Sequence, residues 1–158
     1  MNFAYNKLKI SRDNILTNKL VIVDGQPGCG KTLFSPIVAS FKNVEIFNYI
    51  FEAEFICRIF ELKKINFDTA STLIKMLIDQ KLYNVVQGRE TNFRFSDISS
   101  VFNHHDPSIY FKRIFDKGDM HAYKKIKQNT PILNFTTHDL FSSIEFLSNI
   151  FKKKFNIY

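Results

Sequence analysis

The sequence predicts an α/β fold in which a parallel sheet is flanked by helices on both faces. Three observations point there. Leu20, Val21, Ile22 and Val23 form an unbroken apolar run, as a strand covered on both faces requires. A glycine-rich turn and a helix-compatible segment follow it directly. Strand patterns and amphipathic helix patterns then alternate to the end of the chain. At 158 residues and 45% hydrophobic, the chain is long enough for a core of its own, and a single domain over 1–158 is expected.

Residues 1–18 lack a clear period and read as a lead-in with room for a short edge strand. After the Leu20–Val23 strand, a helix is expected from Gly30 or Lys31 to about Phe41. Pro36, in its second turn, removes a backbone hydrogen bond and predicts a kink. Asn43–Phe47 alternates well enough for a second strand. In Tyr49–Lys63, Glu54, Arg58 and Glu61 fall at i, i+4 and i+7 as one polar stripe among apolar residues that include Phe51, Phe55, Ile59 and Leu62. That pattern predicts a mostly buried helix. Asp68 offers an N-cap for a helix through about Val85, with Leu73, Ile74, Leu77, Ile78 and Leu82 inward. Residues 87–97 read as a loop, and weaker helices are expected over Ser108–Asp116 and Asp119–Gln128. Pro131–Thr136 is the third strand. An amphipathic helix follows, with Leu140, Ile144, Leu147 and Phe151 on one face. Phe155–Tyr158 resembles the opening of a fourth strand. Residues 48–130 thus form a helical insertion between the second and third strands. So few strands suggest a sheet incomplete at its C-terminal side, as in the N-terminal portion of a longer protein or a truncated product.

The chemistry concentrates after the first strand. Gly25-Gln26-Pro27-Gly28-Cys29-Gly30-Lys31-Thr32 fits G-x-x-x-x-G-K-[ST] at every specified position. Glycines let the backbone turn back so that successive N–H groups meet one anion. The following helix adds unpaired N–H groups and the positive end of its dipole. Lys31 is placed to reach terminal phosphates and the Thr32 hydroxyl to ligate magnesium. Cys29, near a helix N-terminus, lies where a thiolate is favoured, although small-residue packing explains it as well.

The third strand leads into Thr137, His138 and Asp139. An imidazole can take a proton from an attacking hydroxyl near neutral pH, which makes His138 a candidate general base. Asp139 either holds magnesium or caps the next helix. Arg89 and Arg94, in the loop, carry the planar fork that suits phosphate or carboxylate and are candidate substrate contacts; local ion pairs explain them equally. The long insertion is where an acceptor pocket would be built. His104-His105-Asp106 is a poor metal set, because adjacent ligands point apart.

A net charge of +7 comes from lysines scattered along a Phe-, Lys-, Asn- and Ile-rich chain, so no dedicated nucleic-acid partner is expected. No apolar run reaches membrane-spanning length. Two cysteines make no disulfide framework, which points to a reducing, cytoplasmic setting.

The Gly25–Thr32 motif resembles that of the P-loop nucleoside triphosphate hydrolases and kinases, which implies a P-loop fold with ATP or GTP and magnesium as ligands. A second resemblance runs through VIVDGQPGCGKT, RETNFRFSDISSVF and ILNFTTHDL, which together look like bacterial sulfotransferase-like proteins. Sulfotransferases carry a loop reading P-x-x-G-x-T, matched here by Pro27, Gly30 and Thr32, and place Thr-His after the third strand, matched by Thr137-His138. That similarity implies a loop binding the 5′-phosphosulfate of 3′-phosphoadenylyl sulfate, with Lys31 or Thr32 on the bridging phosphate. It also implies that His138 deprotonates the hydroxyl of a small-molecule or glycan acceptor. The full G-K-T ending departs from ordinary sulfotransferases. Their 3′-phosphate contacts come from the fourth strand and beyond, where this chain stops. Sulfuryl transfer, phosphoryl transfer by a kinase or triphosphatase, and a non-catalytic nucleotide-binding fragment are therefore the three functional expectations.

Overall fold

Three short strands carry the fold: β1 at Leu20–Val23, β2 at Asn48–Tyr49 and β3 at Leu133–Thr136. They form a parallel sheet in the order β1-β3-β2 in the computed structural model, which describes residues 9–11, 14–17, 19–152 and 156. The helices are α1 (Lys31–Ala39), α2 (Glu52–Glu61), α3 (Phe67–Gln87), α4 (Ser108–Arg113), α5 (Asp119–Asn129) and α6 (Ile144–Phe151). The expected fourth strand at Phe155–Tyr158 falls, apart from Asn156, outside the described residues, as does most of the lead-in.

Pairing β1 with β3 aligns Leu20 with Leu133 and Ile22 with Phe135. Side chains alternate across a strand, so these four share one face. That face meets Ala53 and Cys57 of α2, Ile74, Ile78 and Leu82 of α3, Ile126 of α5 and Leu147 of α6 in the main core. Helix α1 lies against β1 and β3 and contributes nothing to that cluster, so it covers the other face. Burial pushes the Cys57 thiol up to about 11, which marks it as a packing group and not a reactive one.

Several elements differ from expectation. The second strand lies later than Asn43–Phe47, because Val44 makes just one bridge to Ile132 before regular pairing begins at Asn48 opposite Phe135. Residues 44–47 are nonetheless buried beside β3. The inter-strand segment therefore runs 50–132. Helix α1 continues through Pro36. The N-cap of α3 is Asn66, whose side chain accepts from Thr69 N at 2.8 Å, while the Asp68 carboxylate accepts from the Ile10 and Ser11 amides.

The largest correction concerns α2. Phe55 and Leu62 are 67% and 68% exposed; the helix docks through Ala53, Ile56, Cys57 and Phe60, and the polar stripe runs along the margin of that face. Glu54 accepts from His138 N, Arg58 pairs with Asp139, and Ser143 Oγ donates to Glu61. A narrow row of small and apolar side chains therefore makes the core contact, and the polar stripe beside it binds the turn after β3. Leu33, Phe34, Ile37 and Phe41 form a similar exposed apolar row on and just beyond α1.

A second, small core pins the inter-strand segment to the sheet edge. Arg113 donates to both Glu45 carboxylate oxygens at 2.8 Å and to Val85 O at 3.0 Å. The Tyr110 hydroxyl donates to Glu45 at 3.0 Å and accepts from Ile46 N at 2.8 Å, and the guanidinium lies over the Tyr110 ring. His104 is buried there too, edge-on to Tyr110, with Nδ1 engaged by the Asp106 backbone. Burial holds its pKa below the ordinary histidine value.

Candidate functional site

The C-terminal ends of β1 and β3 are where the sequence placed its chemistry, and the two ends are tied together. Thr136 Oγ1 and Thr137 N both donate to Val23 O, at 2.8 and 3.2 Å. Asp24, the residue after β1, receives the Thr137 hydroxyl at 2.8 Å, Leu140 N at 3.1 Å and Phe141 N at 2.7 Å. Partial burial opposes ionisation of Asp24. The bonds from Leu140, Thr137, Phe141 and Gly25 outweigh it and hold the carboxyl below its ordinary pKa. Asp24 therefore does the capping foreseen for Asp139. That residue's carboxylate is instead paired with Arg58, and its backbone carbonyl accepts from Ser142 Oγ.

The loop leaves β1 through three left-handed glycines: Gly25 at φ 151°, Gly28 at 86° and Gly30 at 85°. A Cβ on Gly25 would stand 2.7 Å from Cys29 Sγ, whereas one on Gly28 or Gly30 meets nothing within 4 Å. Space and backbone conformation are both limiting at Gly25, and backbone conformation alone at the other two. Cys29 N donates back to Gln26 O at 3.2 Å, closing the turn around Pro27, and Leu33 N donates to Gly30 O at 2.9 Å. Among the described residues, the amides of Gly28, Gly30, Lys31 and Thr32 meet no protein acceptor, as expected of a helix start. Lys31 is 9% exposed and donates from Nζ to Gly25 O, leaving two ammonium protons for an anion. Gln26, Pro27, Gly28 and Cys29 form the exposed tip. Gly25→Ala is expected to destabilise the fold by about 1–3 kcal/mol. Adding Cys29→Ala should recover the steric part of that loss, as read from denaturant midpoints of the single and double variants.

His138 follows the buried Thr137 and is partly open to solvent. Its ring stacks on Phe51, with centroids 4.5 Å apart and planes at 24°, and Nδ1 lies 3.8 Å from Glu54 Oε1. Loop and histidine thus share one sheet edge through the Asp24 clamp.

The other candidates lie apart from it. Arg89 pairs with Asp119 at 3.6 Å and Arg94 with Asp97 at 3.5 Å, so both are engaged within residues 89–119. A cavity of about 400 Å³ opens at the opposite edge, lined by Thr17, Lys19, Lys127 and Pro131 among others. No group of three or more His, Cys, Asp or Glu side chains among the described residues is placed to hold a metal. Asp139 fits a magnesium role poorly, because its carboxylate is already paired with the Arg58 guanidinium. Also among the described residues, no helix is long and apolar enough to cross a membrane.

Asp24 and Glu54 are the contributors that sequence reasoning missed. Asp24 carried a faint signal, an acid ending an apolar strand, and Glu54 carried one in the polar stripe. No family model matches the chain, and no solved structure matches it significantly.

Proposed function

We propose that Gly25–Thr32 is a phosphate-binding loop and that the chain is a sulfotransferase-like group transferase, moving a sulfuryl group to an acceptor hydroxyl. The observation that carries this reading is the Asp24 clamp, which joins the end of the loop-bearing strand to the turn bearing His138. When bound, 3′-phosphoadenylyl sulfate supplies the sulfuryl group, whose S–O bond to the 5′-phosphate breaks as the bond to the acceptor oxygen forms. The amides of Gly28, Gly30, Lys31 and Thr32 and the Lys31 ammonium bind and stabilise the developing negative charge. His138 removes the acceptor proton. Arg89 and Arg94 would bind substrate only after leaving their present ion pairs.

The G-K-T ending favours a second reading, an ATP- or GTP-dependent kinase or triphosphatase with Thr32 toward magnesium. The Arg58–Asp139 pair weighs against it by occupying the expected second ligand.

Equilibrium binding separates the readings. Magnesium-independent binding of adenosine 3′,5′-bisphosphate, lost by about tenfold or more in Lys31→Ala (about 1.4 kcal/mol), is the expected result. Preference for ATP or GTP with magnesium selects the kinase reading. Binding of neither leaves a non-catalytic reading.

A further inference from the structure

We infer that Glu54 and Phe51 are positioning residues for His138, holding its imidazole in one plane and one tautomer, with Nδ1–H toward α2 and the Nε2 lone pair free. The inference rests on the transfer reaction proposed above. It stands on three contacts made at one residue. Glu54 Oε1 accepts the His138 backbone N–H, which fixes the carboxylate at the base of the residue it faces. The same oxygen lies 3.8 Å from Nδ1, and the Glu54 side chain is 19% exposed, so solvent screens its charge incompletely. Phe51, immediately before α2, lies flat against the imidazole and limits its rotation.

A carboxylate beside one ring nitrogen favours the proton on that nitrogen and leaves the other as the acceptor. In the transfer step, the acceptor oxygen bonds to sulfur, the sulfur–oxygen bond to the donor's phosphate breaks, and the hydroxyl proton moves to Nε2. Arg58, one turn beyond Glu54, is engaged by Glu61 and Asp139 and so does not draw Glu54 away from the ring. The stripe makes a polar seam with a defined register. Glu54 meets residue 138, Arg58 meets 139 and Glu61 meets 143. The sequence spacing of the stripe sets which carboxylate reaches the histidine.

Nitrogen-15 spectra of histidine-labelled protein test this without turnover, with the His138 signals assigned through His138→Gln. Above the pH at which the ring is charged, wild type should show the Nδ1–H tautomer as the major species. Glu54→Gln can still accept the backbone bond but has lost its charge; it should shift the major species to Nε2–H, and Glu54→Asp should restore part of the wild-type pattern. Phe51→Leu should broaden the ring signals while leaving the backbone amide of residue 138 in place. An unchanged tautomer ratio in folded Glu54→Gln, or Nε2–H as the major wild-type species, overturns the inference. Adenosine 3′,5′-bisphosphate binding is measured on the same samples. Binding that survives in Glu54→Gln and fails in Lys31→Ala upholds the loop whatever the tautomer result, and binding by neither wild type nor variants removes the function while leaving the ring geometry to be judged by its own spectra.

Discussion

Glu45→Ala is expected to cost the fold about 3–5 kcal/mol, the range for removing one partner of a buried ion pair. Arg113 and Glu45 are 9% and 7% exposed at their side chains, so the guanidinium left behind keeps little hydration. Val85 O and the Tyr110 ring stay in contact with it but carry no countercharge. Total stabilities of about 5–15 kcal/mol make this a large share. Replacing both residues with methionine should recover most of the loss, because charge and countercharge then leave together. Urea midpoints of wild type, the single variant and the double variant are the measurement. A single variant as stable as wild type would show that this small core does not hold the long inter-strand segment to the sheet.

Asp24→Ala ranks second, at about 2–4 kcal/mol for charge-assisted bonds from Thr137, Leu140 and Phe141 that lose their acceptor. Its effect should also depend on pH, with a definite sign. Asp24 is held below its ordinary pKa in the fold, so its contribution is complete above the unfolded value of about 3.9 and fades as pH falls through the lower folded value. The stability gap between wild type and Asp24→Ala should be constant from pH 7 to 5 and close below about pH 4. Constancy of the gap into strong acid would assign the loss to packing instead of to the carboxylate. The variant should also weaken any activity that needs His138 near the loop.

The parts of this molecule that the sequence made legible are those whose causes are local. An apolar tetrad, glycines at fixed intervals and a lysine at a helix start specify β1, its loop and α1 within a dozen residues. The third strand was readable for the same reason; its place beside β1 was not. Asp24 was not readable, since an acceptor is defined by its donors, and these are contributed from beyond residue 136. The stripe Glu54, Arg58 and Glu61 was visible as a period. Its partners were not, because they come from the 138–143 segment, far along the chain. The second strand moved because bridge formation depends on register with β3, which the residues at 43–47 do not encode alone.

The Asp24 clamp has a consequence for synthesis. Its partners at Thr137, Leu140 and Phe141 lie 113, 116 and 117 positions further along the chain. On the ribosome, the glycine-rich turn emerges long before anything can brace it, and contacts of such long range form late and slowly. The braced end of the sheet is therefore among the last features a nascent chain acquires, and a ribosome stalled before codon 137 displays the whole glycine-rich motif without its brace.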